Sequence, residues 1–177
     1  GEISLSLQDS LLFESAWKNY RQGNCQKASI GFKKYLSQFR ENGFFNIQAA
    51  YYLAECGFYN QKRAIAKENY AFVLQSQRNE FSEKSAKKLA QIYFDEQAFS
   101  LANQYFQKLE KYASHSSNLK VARIGQLRSL HSLGDTFGLK RLSFEILAMD
   151  NLENDDVSEA NMRLGEYFWM VNKKDSA

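Results

Sequence analysis

The strongest constraint on the fold is a repeat in the small or apolar residues that open successive apolar stripes. These positions hold one leucine and then four alanines, at Leu12, Ala50, Ala86, Ala122 and Ala160. Their spacings are 38, 36, 36 and 38 residues. A period of this size indicates an array of similar units, each of which buries an apolar face against its neighbour. The chain is therefore predicted to fold as a stack of repeats.

A second series of small residues lies between the members of the first. It comprises Ala28, Ala66 and Ala102, separated by 38 and 36 residues, and each alanine is followed four residues later by an aromatic ring. The fourth equivalent position, Gly138, opens an aliphatic stripe instead. Apolar residues around both series follow the i, i+3, i+4 spacing of one α-helix face, so each repeat is predicted to contain two helices.

The composition agrees with a folded helical chain. The 177 residues are 44% apolar and include nine glycines and no proline, values that exclude a disordered or collagen-like chain. No apolar run approaches the ~20 residues that a membrane-spanning helix needs. We therefore expect no transmembrane segment.

Three segments carry a resemblance to a known repeat family. They are residues 17–36 (WKNYRQGNCQKASIGFKKYL), 51–74 (YYLAECGFYNQKRAIAKENYAFVL) and 86–109 (AKKLAQIYFDEQAFSLANQYFQKL). Their helix pairs, with matching small and aromatic positions, resemble the tetratricopeptide repeat (TPR), and the first two are similar to repeats of bacterial envelope-associated proteins. No proline closes any of these repeats, and their periods exceed the usual length in the family by a few residues.

The resemblance implies an all-α fold: a right-handed α-α superhelix (TPR solenoid) of about four and a half helix-pair repeats and nine helices. A single solenoid domain is expected over residues 1–177, with repeats at about 7–40, 45–77, 82–113 and 118–150 and a half repeat at 155–172. The last helix, predicted at about 157–171, ends in a run of large apolar side chains. We therefore expect the chain to be a fragment of a longer protein.

In the TPR family the concave groove holds a segment of a partner protein, so the resemblance implies a non-catalytic protein- or peptide-binding scaffold. The first helix of each repeat lines that groove, and its side chains that are not needed for packing are the candidate contacts. These are Phe13, Trp17, Tyr20, Arg21, Tyr51, Glu55, Phe58, Tyr59, Lys84, Lys87, Gln91, Phe94, Lys120, Arg123, Leu127 and His131.

The N-terminal half of this set is rich in aromatic residues. Rigid rings suit apolar anchors, because they contribute a large contact area at a small entropic cost. The same pattern also fits a core stripe, since Phe13, Ala16, Trp17 and Tyr20 follow the i, i+3, i+4, i+7 spacing of one helix face. Both interpretations stay open at the level of sequence.

Four cations form the second candidate region. Lys84 and Lys120 occupy equivalent positions 36 residues apart, as do Lys87 and Arg123. Stacked repeats would bring them together near helix starts, where the helix dipole disfavours a cation by ~0.3–1 kcal/mol. We expect this patch to receive a carboxylate or an acidic segment of a partner protein. The alternative is a solvated face, neutralised locally by the two glutamates shortly before Lys84.

No catalytic residue, metal ligand or cofactor is expected. The chain has two histidines and contains no Cys-x-x-Cys, His-Glu-x-x-His, P-loop or dinucleotide-binding motif. Its net charge is +3 and its adjacent basic residues form only isolated pairs, which disfavours nucleic acid as a partner. The alternative function is a structural repeat module that self-assembles by stacking through the exposed terminal helix at 157–171.

The two cysteines, Cys25 and Cys56, lie in apolar helical stretches. Two cysteines in a chain of this length do not form a disulfide framework, so the sequence predicts two buried thiols. The cellular compartment stays open at this point. The resemblance implies the bacterial periplasm or a membrane-associated place in the cell envelope, with the cytoplasm as the alternative.

Overall fold

A computed structural model describes residues 4–175, and all regular elements in that range are helices. The prediction of an all-α chain with nine helices is confirmed for these residues. The helices are α1 (Leu5–Arg21), α2 (Cys25–Phe39), α3 (Asn46–Tyr59), α4 (Arg63–Gln75), α5 (Ser82–Asp95), α6 (Phe99–Tyr112), α7 (Ser116–Leu133), α8 (Thr136–Leu147) and α9 (Asn154–Asp175).

One type of turn joins the helices within each pair, α1–α2, α3–α4, α5–α6 and α7–α8. A residue with positive φ follows the first helix of each pair: Gly23 at 75°, Gln61 at 58°, Gln97 at 58° and Gly134 at 72°. The N–H groups of this residue and of the next one donate to carbonyl oxygens in the last turn of the preceding helix, as in a Schellman motif. The sequence repeat is therefore also a repeat of backbone geometry.

The chain divides into two compact units, residues 1–85 and 86–177. In the N-terminal unit α1 packs on α2, α2 on α3 and α3 on α4. Ala28, Ala50 and Ala66 are fully buried in this unit, together with the rings of Phe32 and Tyr70. The small alanines let neighbouring helices approach closely, while the rings fill the remaining space.

In the C-terminal unit α6 packs on α7, α7 on α8 and α8 on α9. A core cluster joins the last three of these helices, and it consists of Leu127, Leu139, Leu142, Ile146 and Ala160. Helix α5 reaches α6 through the stacked rings of Tyr93 and Tyr105, whose centroids lie 5.5 Å apart. The aliphatic stripe that replaces the aromatic pattern in α8 is thus the core of this end of the unit.

Asp9 holds the segment that connects α2 to α3. The hydroxyl of Tyr35 donates to Oδ1 of Asp9 at 2.5 Å, and the backbone N–H of Phe44 donates to Oδ2 at 2.8 Å. The Tyr35 oxygen in turn accepts a hydrogen bond from the N–H of Phe45 at 2.9 Å. Asp9 and Tyr35 are both buried. These bonds satisfy polar groups that would otherwise be costly to bury.

A disulfide joins Cys25, the first residue of α2, to Cys56 in α3, with their Cα atoms 5.3 Å apart. The sequence-based prediction of two buried thiols is therefore wrong. The start of α2 lies beside the end of α3, a proximity that the apolar pattern within each helix does not reveal. Cys56 is fully buried and Cys25 is half-buried.

The close approach of α1 and α2 gives a first testable prediction. A Cβ atom at Gly31 would lie 2.7 Å from Cβ of Ala16. We expect Gly31→Ala to lower the free energy of unfolding by about 1–3 kcal/mol, because overpacking outweighs the better helix propensity of alanine. Chemical denaturation measures this change. Adding Ala16→Gly should recover part of the loss, whereas strictly additive effects of the two substitutions would contradict the contact.

Candidate functional site

The aromatic candidates of α1 are divided between the core and the surface of the N-terminal unit. Phe13 is only 6% exposed, and its ring stacks on that of Phe45 with centroids 4.4 Å apart. Trp17 and Tyr20 are half-buried and stack on each other at 5.6 Å. Phe13 therefore supports the core, while Trp17 and Tyr20 keep part of their rings accessible.

Tyr52, which is not among the residues predicted from the sequence, completes this half-buried group. Its ring lies 4.4 Å from that of Trp17 and 4.7 Å from that of Tyr20, measured between centroids. We call Trp17, Tyr20 and Tyr52 the aromatic strip. Burial raises the pKa of Tyr20 to about 12 and also raises the pKa of Tyr52, with the charge of Glu55 adding to both shifts.

Tyr51 and Glu55, two predicted groove residues of α3, lie in the core of the N-terminal unit. Tyr51 is 7% exposed and its ring stacks on Phe81 with centroids 4.5 Å apart. Glu55 is 8% exposed and accepts a hydrogen bond from the hydroxyl of Tyr70 on α4. Both side chains stabilise the packing of this unit.

The remaining candidates of the N-terminal unit lie at or near its surface. Phe58 is half-buried and Tyr59 is 66% exposed, and their rings meet edge to face with centroids 6.1 Å apart. Arg21 at the end of α1 and Lys84 in the first turn of α5 are exposed. Their role in binding a partner stays a prediction.

The predicted cations of the C-terminal unit already have polar partners within the chain. Lys87 donates to Oδ1 of Asn118 at 3.0 Å. Nζ of Lys120 lies 3.1 Å from Oδ2 of Asp156 and 3.6 Å from Oε1 of Glu153. A hydrogen bond from the backbone N–H of Glu153 is the largest cause that lowers the pKa of Asp156, and Lys120 lowers it further. Asp156 is therefore ionised at neutral pH.

Arg123 is the centre of a second polar group in the same unit. Its Nε lies 3.0 Å from Oε1 of Glu110, and its Nη1 donates to the backbone oxygen of Glu145 at 3.2 Å. Burial alone would raise the pKa of Glu110, but hydrogen bonds from Gln126 and Arg123 lower it. Lys120 and Arg123 thus lie beside carboxylates of α6, α8, α9 and the segment before α9.

The C-terminal unit also contains a cleft of about 260 Å³. Its floor is apolar, and the rings of Phe94 on α5 and Phe106 on α6 meet there edge to face with centroids 6.3 Å apart. Gly125 makes room for this floor, because a Cβ atom there would lie 2.4 Å from the Phe106 ring. The cleft is lined by Phe94, Phe106, Lys120, Val121, Ile124, Gly125, Arg128 and Asp156.

Ion pairs form the rim of the cleft. Lys120 and Asp156 make one pair, and Arg128 makes another by donating from Nε and Nη2 to the carboxylate of Glu159 at 2.8–3.1 Å. A cleft with an apolar floor and a polar rim can hold an apolar side chain of a ligand and hydrogen-bond the groups beside it. Of the lining residues, Phe94 and Lys120 belong to the predicted set.

Three further candidates in this unit differ in their accessibility. Gln91 is exposed on α5, whereas Leu127 is 1% exposed and belongs to the core cluster with Leu139. His131 is exposed, and its Nδ1 lies 3.3 Å from Oε2 of Glu166 on α9. Leu127 therefore supports the core, and His131 helps to join α7 to α9.

Within residues 4–175, no group of three or more histidine, cysteine, aspartate or glutamate side chains has a geometry that could hold a metal ion. None of the helices described for this chain is both long enough and apolar enough to span a membrane. Comparisons with models of known protein families, with curated protein sequences and with solved structures give no significant match.

Proposed function

We propose that the chain is a non-catalytic, TPR-like scaffold that binds an extended segment of a partner protein. The cleft between α5, α6 and α7 carries this proposal. Its apolar floor, formed by Phe94, Phe106 and Ile124, accommodates one leucine, isoleucine or phenylalanine side chain of the partner. The repeated helix pairs and their common turn geometry support the TPR-like assignment.

The rim of the cleft favours a partner segment with acidic residues beside the apolar anchor. Lys120 is 18% exposed at its side chain and is shared between Asp156 and Glu153. A carboxylate of the partner can replace Glu153, whose side chain is 83% exposed, at modest cost because surface ion pairs contribute only about 0–1 kcal/mol. Lys87, which donates to Asn118 near the start of α7, adds a further positive charge in the same unit.

Display of random peptides on phage tests this function directly. We expect the wild-type chain to enrich peptides in which a large apolar residue is flanked by aspartate or glutamate. Val121→Lys introduces a charge into the cleft and should weaken the selected peptides at least tenfold, or about 1.4 kcal/mol. Since this substitution adds positive charge, a loss of binding would report on the apolar floor and not on electrostatic attraction.

Ser132→Lys is the matched control, because residue 132 is an exposed position of the same helix and does not line the cleft. This variant should bind the selected peptides as the wild type does. Binding should also weaken as salt is raised, since acidic side chains contribute to the contact. Selection of no peptide, or equal binding by Val121→Lys, would contradict the proposed function.

The disulfide supports an oxidising compartment such as the periplasm as the site of action. Disulfides persist in exported proteins and are rare in the cytosol, where thiols are kept reduced. We expect Cys25 and Cys56 to resist alkylation when cells are lysed in a denaturant that contains a thiol-blocking reagent, because burial then protects neither sulfur. Alkylation of both residues in native cells would place the chain in a reducing compartment.

A further inference from the structure

Glu55 on α3 is a buried acidic residue without a cation beside it. Its side chain is 8% exposed, and Oε1 accepts a hydrogen bond from the hydroxyl of Tyr70 on α4. No lysine, arginine or histidine within residues 4–175 makes an ion pair with Glu55. Buried glutamates are normally paired, because a lone charge that loses its hydration is costly. The chain therefore keeps a carboxylate at this position that can pair with a cationic ligand.

The second oxygen of this carboxylate is accessible. Oε2 of Glu55 accepts no hydrogen bond from residues 4–175, and it is not sealed from solvent as the unpartnered Oδ1 of Asn69 is. Glu55 thus offers one acceptor atom to a ligand. A charged donor fits this acceptor best, since hydrogen bonds that involve ionised groups are about twice as strong as those between neutral groups.

Tyrosine rings lie around the carboxylate. Tyr52 precedes Glu55 by three positions on α3 and Tyr59 follows it by four, so all three side chains share one helix face. Tyr20 of α1 lies beside this face, with its ring centroid 4.7 Å from that of Tyr52. Burial is the largest cause that raises the pKa of Tyr20 and of Tyr52, and the charge of Glu55 raises both further. We call Tyr20, Tyr52, Tyr59 and Glu55 the Glu55 site.

The rings of the Glu55 site are nearer to the surface than its carboxylate. Tyr59 is 66% exposed, and Tyr20 and Tyr52 are half-buried, whereas Glu55 is 8% exposed. A ligand that enters the site therefore meets aromatic rings first and the carboxylate below them. The π faces of aromatic rings attract cations, and this attraction is strongest where water is displaced. Both parts of the site thus select a positively charged group.

The hydrogen bonding of Glu55 indicates which kind of cation fits. A quaternary ammonium group has no N–H and would leave Oε2 without a partner. A guanidinium group forms its best contact with both oxygens of a carboxylate, but Oε1 is already bonded to Tyr70. A primary ammonium group is a compact charge with three donors, one of which can bond Oε2. The site therefore fits a primary ammonium group best.

We propose that the Glu55 site binds a primary alkylammonium group, carried by a lysine side chain of a partner protein. The ammonium group donates to Oε2 of Glu55, and the methylene groups next to it pack against the rings of Tyr20 and Tyr52. Trp17 extends this apolar surface, since its ring centroid lies 4.4 Å from that of Tyr52. The site uses no residue of the cleft, so it adds a second contact to the function proposed above.

Titration of the intact chain with a lysine peptide, followed by NMR, tests this site. The probe is acetyl-Gly-Lys-Gly-amide, and its matched control contains norleucine, which has the same aliphatic chain without the ammonium group. We expect a dissociation constant of about 0.1–5 mM for the lysine peptide and at least tenfold weaker binding of the norleucine peptide. Equal binding of the two peptides, or no binding of the lysine peptide at about 20 mM, would overturn the proposal.

Glu55→Gln should weaken the lysine peptide at least tenfold. The substitution removes the charge but keeps an oxygen that can accept from Tyr70, so the fold should tolerate it. Glu68→Gln is the matched control, because it removes the same charge from α4 of the same unit, where Glu68 lies 3.4 Å from Arg40. This variant should bind the peptide as the wild type does. Equal losses in both variants would reduce the effect to net charge and contradict the site.

Tyr59→Leu tests the aromatic part of the site without changing the core. The side chain is 66% exposed, and leucine keeps it apolar but has no π face. Binding of the lysine peptide should weaken about 2- to 5-fold, as expected when an exposed cation–π contact is lost. Unchanged binding would contradict the position of the ammonium group beside this ring.

The cleft variant Val121→Lys separates this proposal from the peptide-binding function of the C-terminal unit. It should bind the lysine peptide as the wild type does, because residue 121 lines the cleft and does not belong to the Glu55 site. Loss of lysine binding in Glu55→Gln alone supports the Glu55 site even if phage display selects no acidic peptide. Failure of the lysine peptide to bind, with acidic peptides selected as expected, would overturn the Glu55 site alone.

Three further probes test the chemistry of the ligand. Peptides with trimethyl-lysine or arginine in place of lysine should bind more weakly, since the first has no donor and the second meets a single accessible oxygen. Tighter binding of either would exclude the primary ammonium group. The free amine n-butylammonium should also bind more weakly than the lysine peptide, which has more surface to place on Trp17. Equal binding would assign the site to a small free amine and contradict a protein partner.

Discussion

Above pH 10 the N-terminal unit is expected to lose stability steeply and to unfold cooperatively. Three of its tyrosines, Tyr35, Tyr51 and Tyr70, are buried, and burial is the largest cause that raises the pKa of each phenol above its usual value of 10. Hydrogen bonds to Asp9 and Glu55 raise the pKa of Tyr35 and Tyr70 further.

The loss of stability above pH 10 follows from the difference in tyrosine protonation between the folded and the unfolded chain. Below pH 10 these tyrosines are neutral in both the folded and the unfolded chain, so their contribution to stability is complete. Above pH 10 only the unfolded chain ionises, and the contribution is lost until the folded protein ionises too. Each tyrosine removes about 1.4 kcal/mol per pH unit in this window, and three remove about 4 kcal/mol.

Urea denaturation at several pH values, with tyrosinate absorbance recorded in parallel, measures this loss. We expect the exposed tyrosines among the ten in the chain to ionise first, and the three buried ones to ionise only on unfolding. Tyr51→Phe is the control and should make the decline in stability with pH shallower. Ionisation of all tyrosines near pH 10 with the helical circular dichroism unchanged would contradict their burial.

Reduction of the Cys25–Cys56 disulfide is expected to lower the free energy of unfolding by about 3–4 kcal/mol. The bond closes a loop between residues 31 positions apart, and the loss of chain entropy in the unfolded state gives this magnitude. For a chain of this length the melting temperature should fall by roughly 6–16 °C. Thermal unfolding with and without a phosphine reductant measures the change.

The double variant Cys25→Ala/Cys56→Ala controls for other effects of the reductant. It should match the reduced wild type closely, and the reductant should not change it further. Titration of the denatured, unreduced wild type should detect no free thiol. Detection of two free thiols, or an unchanged melting temperature after reduction, would exclude the disulfide.

The helices were predictable because their signals are local. The alanine series and the turns between them predict nine helices, and the last of them, expected at about 157–171, is α9 at Asn154–Asp175. The small residues also act as predicted, since Ala28, Ala50 and Ala66 are fully buried between helices. A repeat in sequence thus carries enough information for the secondary structure and for the packing of neighbouring helices.

The disulfide and the ion pairs were not predictable in the same way, because they depend on contacts between helices. Cys25 and Cys56 meet only because the start of α2 lies beside the end of α3. Lys120 reaches Asp156 across a separation of 36 residues, so its charge is balanced by a carboxylate that no local pattern selects. The repeat period was the sequence signal available for this ion pair. It is 36 residues between the central repeats, which is also the spacing between Lys120 and Asp156.

In the candidate site, too, the local pattern was predictable and the contacts between helices were not. Phe13, Tyr51, Glu55 and Leu127 match the pattern of groove residues, yet their side chains are buried. Tyr52 was missed because its neighbour Tyr51 has the same chemistry, and only the helix orientation separates the buried ring from the half-buried one. The cleft depends on Gly125, whose missing side chain admits the Phe106 ring. Sequence spacing predicted the helix faces, but not the depth of individual side chains.

Methyl NMR of the isoleucine side chains tests the proposed binding site most directly. Ile124 lines the cleft, Ile146 is fully buried in the core of the same unit, and Ile30 is exposed in the N-terminal unit. Titration with the peptide most enriched by display should shift the Ile124 methyl signal and leave those of Ile146 and Ile30 in place. Binding that shifts Ile30 while Ile124 stays unchanged would contradict the assignment of the cleft as the binding site.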